Sequence, residues 1–228
     1  FNTLTRNPNY WAPGLPKAEC IKVISVLDPI ARAAALITKE VDMTTSIDPQ
    51  LLPVLRKNKD ITLLVSPGGG SSRNLTMQID APPFDDIRVR QAIKLIVDRQ
   101  AIVDGPFMGA GEVGNDNPIP LSSAVAYTNV APKQDIAEAK RLLAEAGYAD
   151  GLELELYVHA TGTGYMGVAQ AFVPMAAQAG ITVKIKQVPG SAFWSETWLK
   201  VPFSVTAWSA RPPGTALPQP SMRNAGPI

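Results

Sequence analysis

Between Gln134 and Val188 the spacing of apolar residues switches repeatedly between two periods, and this alternation narrows the fold more than any other feature of the chain. "QDIAEAKRLLAEAGY" (Gln134 to Tyr148) places Asp135 at an N-cap, Glu138 three residues on and Gly147 at the stop. That is a capping box with a glycine terminator, which predicts a helix. "GLELELYVH" (Gly151 to His159) then alternates, with Leu152, Leu154, Leu156 and Val158 on one side, the period of a strand. "MGVAQAFVPMAAQAG" reads as a helix ending at Gly180 despite Pro174, and "ITVKIKQV" (Ile181 to Val188) as another strand. "SAFWSETWLK" reads as a short helix carrying Trp194 and Trp198, and "FSVTAW" (Phe203 to Trp208) as a last strand. Strands and helices in this order form an α/β layer whose strands are joined by crossovers.

The earlier stretch follows the same logic. Cys20 to Leu27 is β-rich, and Asp28 to Asp42 opens with Asp-Pro and reads as a helix. Asp48 to Asn58 opens the same way, while Ile61 to Ser66 and Asn74 to Ile79 read as strands. "APPFDD" interrupts both neighbouring patterns, because two prolines neither continue a strand nor sit inside a helix. A division between residues 1–80 and 81–228 is therefore expected near Ala81. After it, Asp85 to Val103 reads as one helix with Val89, Ile93 and Ile96 on one face and Asp86 four residues from Arg90.

Composition removes several functions. The chain has 228 residues, with 46% apolar and 18% charged, which is globular and enough to bury a core. Lys plus Arg number 21 against 20 for Asp plus Glu, so no basic surplus serves a nucleic acid. The single cysteine, Cys20, and single histidine, His159, preclude an internal disulfide and a two-histidine zinc motif. No metal and no cofactor are expected. The longest window free of charge, Leu156 to Val183, is broken by Thr161, Gly162, Gln170 and Pro174, so it does not read as a membrane span. Phe1-Asn2-Thr3 does not open a signal peptide, and the chain reads as an excised or processed piece. "GAGEVG" (Gly109 to Gly114) matches a dinucleotide fingerprint in letters only, because it follows a helix and leads into coil.

Candidate site residues come from strand ends. In α/β sheets ligands collect beyond the carboxyl ends of strands. His159 ends one strand and Thr161 follows it; Trp208 ends another and Arg211 follows in a proline-stiffened loop. If these strands are neighbours, the four residues share a rim and could line a small organic ligand.

"RNPNYW" (Arg6 to Trp11), "PIARAAALITKEVD" (Pro29 to Asp42), "PPFDDIRVRQAIKLIVDRQAIV" (Pro82 to Val103), "GNDNPIP" (Gly114 to Pro120) and "DIAEAKRLLAEAGY" (Asp135 to Tyr148) occur in this order. Together they resemble the family 5 extracellular solute-binding proteins of bacterial ABC importers. The resemblance runs from Phe1 to about Pro213. It implies a periplasmic-binding-protein-like two-lobe fold, present here in part: residues 1–80 as part of the first lobe, 81–228 as most of the second, with coil from about 214. It implies a protein that does no chemistry, works in the periplasm or extracellular space, and hands a solute to an ABC permease in the membrane. The isolated piece is expected to self-associate or to need another chain carrying the missing lobe segments. Dipeptide-binding relatives carry an aspartate three residues after this tryptophan, where this chain has Arg211. Near His159, peptide-binding relatives place a carboxylate-reading arginine. Both departures imply an anionic solute rather than a plain dipeptide.

Two other functions are kept alongside. One is an α/β hydrolase using His159, for which the chain offers no nucleophile motif. The other is a scaffold whose partner is another protein.

Overall fold

The computed structural model describes residues 1–64, 71–117, 119 and 131–209. It divides into two compact units, Phe1–Ser46 and Ile47–Ile228. In the first, β1 (Asn2–Thr5) and β2 (Cys20–Val23) pair antiparallel. Helix α1 (Pro29–Ile37) starts from Asp28, whose carboxylate accepts the Ala31 N–H at 2.7 Å, with Pro29 preset for the first turn. The helix was expected to reach Asp42. It stops earlier because Lys39 turns to φ 62°, outside the right-handed helical region. Arg32 holds the surrounding chain by donating to the carbonyls of Val26 at 2.8 Å and Ser46 at 3.1 Å.

The second unit is a four-stranded sheet with helices on one face. The order is β3–β6–β4–β5, with β3 Ser71–Met77, β4 Leu152–His159, β5 Ile181–Val188 and β6 Phe203–Ser209. Strand β4 runs parallel to β5 and β6, and β3 runs antiparallel to β6. Leu154, Leu156 and Val158 of β4 point into the core, as the alternation predicted, together with Phe203 and Val205 of β6 and Met77 of β3. They meet α3 (Ile87–Ile96), α5 (Ile136–Glu145) and α6 (Tyr165–Gln178) through Val89, Ile93, Leu143 and Phe172. The Phe203 ring lies 5.0 Å from Phe84 and 5.9 Å from Phe172, centre to centre. On the opposite face Lys184 and Lys186 of β5 pair with Glu153 and Glu155 of β4 in solvent. Exposed pairs of this kind add about 0.2–1 kcal/mol at most.

Several local expectations change. The helix expected from Asp85 to Val103 is two. Val97 swings to an extended ψ of 115°, and Asp98 caps a new helix, α4 (Arg99–Asp104), by accepting the Ala101 N–H at 3.0 Å. The expected Asp86–Arg90 pair is replaced: Asp86 takes Arg88 at 2.5 Å, while Arg90 donates to the Phe84 carbonyl at 2.6 Å. Asp135 does cap α5, accepting from the Glu138 N–H at 2.9 Å, but the Glu138 side chain turns to Arg141 rather than closing the box. Residues 61–64 form no strand. Helix α2 (Leu52–Lys57) forms within the expected span of 48–58. The Gly109–Gly114 cluster is irregular chain after α4.

Strand β3 precedes Pro82 yet pairs with β6 along its whole length, from Ser71 opposite Ser209 to Met77 opposite Phe203. It therefore sits at the edge of the same sheet as the strands that follow the prolines. Among the described residues no helix is long and apolar enough to cross a membrane.

Candidate functional site

Because β4, β5 and β6 are parallel, their carboxyl ends lie together. His159 is the last residue of β4. Since Leu154, Leu156 and Val158 face the core, alternation turns His159 to the opposite face. On β6 the same face belongs to Ser204, Thr206 and Trp208, with Tyr157 in register with Ser204. Beneath Trp208 the Thr206 hydroxyl meets the Thr76 hydroxyl of β3 at 2.6 Å, a buried polar pair that satisfies itself.

The segment after β5 forms a roof over this face. It was expected as an ordinary short helix. Instead a turn at Gly190–Ala192 widens into a π-type turn over Phe193–Thr197, closed by the Trp198 N–H on the Phe193 carbonyl at 2.8 Å. Such widened turns are frequent at functional sites. Here the extra width drops Phe193 and Thr197 inward, both buried, and leaves Trp194 53% exposed. Gly190 is required at its position, because a Cβ there would come within 2.7 Å of the His159 ring.

An unbroken run of rings results. His159 lies 5.6 Å from Tyr165, 5.3 Å from Phe193 and 6.5 Å from Trp194, centre to centre. Trp194 lies 6.0 Å from Trp198, and Trp198 lies 5.8 Å from Trp208. His159 and Trp208, expected to share a rim as neighbours, are thus joined through Trp194 and Trp198. Thr161 donates its backbone N–H to His159 Nδ1 at 3.2 Å. That assigns the proton of the neutral ring to Nε2. Burial pushes the His159 pKa below its ordinary value, so the neutral ring is favoured. Arg211 lies outside the described residues.

Sequence reasoning did not single out Arg73. It stands on β3 opposite Ala207 of β6, on the core-facing parity with Leu75 and Met77. Its Nε donates to the Thr163 carbonyl at 2.7 Å, and its guanidinium carbon lies 5.2 Å from the Tyr165 ring centre. Burial lowers its pKa and raises that of Tyr165. The signal was available: a charged residue at an inward position of an otherwise apolar alternation.

The arrangement offers flat apolar surface, an imidazole N–H and a partly buried cation. Ser195, a serine of the roof, donates its hydroxyl to the Ala192 carbonyl at 3.3 Å, an ordinary local bond. Among the described residues no group of His, Cys, Asp or Glu could hold a metal ion. Flat apolar surface with a few polar groups is the usual composition of a small-molecule pocket.

Comparison with known proteins fits that geometry. The model of the bacterial extracellular solute-binding proteins, family 5 Middle, matches residues 2–224. The glutathione-binding protein GsiB of Salmonella choleraesuis is 33% identical over 185 residues, covering 81% of this chain and 36% of GsiB. The chain thus spans about a third of the length of the curated relatives it matches. Among solved structures, the ABC transporter-associated periplasmic binding protein DppA of Helicobacter pylori, in complex with peptide STSA, superposes with a TM-score of 0.82 at 25% identity, covering 94% of this chain and 42% of DppA. The periplasmic binding protein AgaA of A. tumefaciens R10, in complex with agropinic acid, gives 0.77 at 26% identity, covering 90% of this chain and 42% of AgaA. The fold is accordingly a partial periplasmic-binding-protein-like α/β fold, these relatives are binding proteins rather than enzymes, and the chain belongs to the bacterial extracellular solute-binding proteins, family 5.

Proposed function

We propose that this chain supplies the aromatic side of a solute site in the extracytoplasmic binding component of an ABC importer, which takes a small peptide-like or anionic solute between two lobes and delivers it to a membrane permease. The observation that carries the reading is the ring run from Tyr165 through His159, Trp194 and Trp198 to Trp208, at the carboxyl ends of parallel strands in a member of this family. In it Trp208 and Trp194 offer flat apolar wall, His159 offers an Nε2–H donor, Thr161 shapes the loop, and Arg211 reads negative charge. Periplasmic or extracellular placement follows from the same reading. The chain enters the sheet by β3 and leaves by β6, with Ser71 and Ser209 side by side. That pairing supports moving the division between lobes from about residue 81 to these two strand ends. Exposed Leu27, Ile30 and Met43 in the first unit support its being covered by a further segment or chain.

The test is ligand identification on the full-length protein. Mass spectrometry of co-purifying solute, followed by thermal unfolding with small acids and peptides, is expected to find a solute that stabilises the fold. A hundredfold excess over Kd adds about 2.7 kcal/mol. Arg211→Ala is expected to weaken that solute by roughly ten- to a hundredfold, the loss of one charge-assisted bond. Unchanged affinity would make Arg211 a solvated loop charge, and turnover of an ester or amide panel would replace the whole reading with an enzyme.

A further inference from the structure

Every Asp and Glu of the chain lies within the described residues, and none of them pairs with Arg73. This is unusual for a cation so placed. The guanidinium is partly buried between β3 and the loop that leads into α6. Removing a charge from water is costly unless an opposite charge or several hydrogen bonds replace the hydration.

The bonds present satisfy one side of the fork. Nε donates to the Thr163 carbonyl at 2.7 Å. Nη1 donates to the carbonyls of Ser71 and Ser72, each at 3.3 Å, and to the Ser71 hydroxyl. Nη2 has no acceptor among the described residues. These anchors also fix where the fork stands. Gly164, at φ 77°, packs so closely that an added Cβ would come within 2.9 Å of Phe107 and 3.7 Å of Arg73 Nε. The flank of the guanidinium lies over Tyr165, whose other neighbour is His159. Arg73 therefore stands at the Tyr165 end of the ring run, held by neutral dipoles, with its charge uncompensated by any Asp or Glu of the chain.

We infer that Arg73 is a carboxylate-binding residue of the solute site, its free Nη2 edge receiving an acidic group of a solute whose apolar part lies along the rings. The inference rests on the solute-binding reading above and narrows it: the solute carries a carboxylate at its Tyr165 end. A guanidinium suits this task because its planar fork matches a carboxylate and it stays charged when partly buried.

Calorimetry on the full-length protein tests this with two probe pairs, trialanine against trialanine amide and glutathione against its diethyl ester. Wild type is expected to bind at least one free acid tenfold or more tightly than its neutral partner. Arg73→Gln is expected to remove that preference, so that the acid and its neutral partner bind alike. Arg73→Lys keeps the charge without the fork, is expected to retain part of the preference, and decides the matter if the glutamine variant does not fold. Should Arg73→Gln keep the wild-type preference, or wild type bind acid and neutral forms alike, the carboxylate role of Arg73 is overturned and the solute-binding reading stands. Failure of wild type to bind any of the four probes counts against both.

Discussion

Helices α1 and α5 read alike in sequence and fare differently in space. Each begins with an aspartate whose side chain accepts a backbone N–H of its own first turn, and each carries alanines and leucines on a stripe. Helix α5 buries Ala139, Leu142 and Leu143 against a shared core. Helix α1 buries Ala33 alone, while Ile30 stays 66% exposed and Leu27, just ahead of the cap, 76%. The difference lies in what stands opposite. An amphipathic stripe is a request for a partner, and capping is satisfied locally whether or not the partner arrives. Helix formation and burial are thus separate links in the chain from sequence to structure, and residues 1–46 realise the first with little of the second.

The comparison can be broken first at the core. Phe203→Ala removes a fully buried ring packed on Phe84 and Phe172 and is expected to cost about 3–5 kcal/mol, whereas Ile30→Ala in the same chain is expected to cost no more than about 0.5 kcal/mol. Urea denaturation of both variants checks this, and comparable losses would mean that the first unit has a core of its own. The caps provide a finer test. Asp135→Ala is expected to cost about 1 kcal/mol through loss of the Glu138 N–H bond. Amide exchange should show the loss in the first turn of α5, and exchange in α1 should be faster than in α5 in wild type, because less packing protects it.

The smallest effect concerns His159. Its pKa is lowered by burial, so between that value and the ordinary value of about 6.5 the unfolded chain holds more protons than the folded one. Stability therefore falls as pH drops below about 6.5, and protonation of Nδ1 also ends its acceptance from the Thr161 N–H. His159→Gln is expected to remove this component from the pH dependence of thermal unfolding. An identical slope in the variant would show that the histidine titrates as it does in the open chain.

Much of the helical layer was legible because its signals are local. Asp28, Asp86 and Asp135 announce their helices, and the alternation of Leu152 to Val158 and of Ile181 to Val188 places their strands. Where the reading failed, two local signals competed or a distant one decided. Val89 to Val103 has continuous helical periodicity, but Asp98 caps better than it continues, so the helix breaks there. Glu138 had two uses, and Arg141 won it from the box. The pairing of β3 with β6 joins residues more than a hundred apart, which no periodicity encodes. The site shows the same split. As candidates, His159 and Trp208 were singled out from their places at strand ends, and Trp194 and Trp198 were seen only as members of a helix. That they roof the sheet and join His159 to Trp208 depends on the widened turn at Phe193–Thr197 and on which face it covers. Arg73 was visible as a charge on an inward parity, yet its missing counter-charge is a statement about every acidic residue at once.

The ring run has an optical consequence. The protein has four tryptophans, and three of them, Trp194, Trp198 and Trp208, stand in that one line. Rings this close share their excited states, so light absorbed at one migrates to its neighbours before it is emitted. Excitation absorbed anywhere in that line can therefore reach Trp194, which stands 6.5 Å from His159, whose protonated form quenches indole. Indole emission from the line is thus a built-in lamp placed where the solute is proposed to lie.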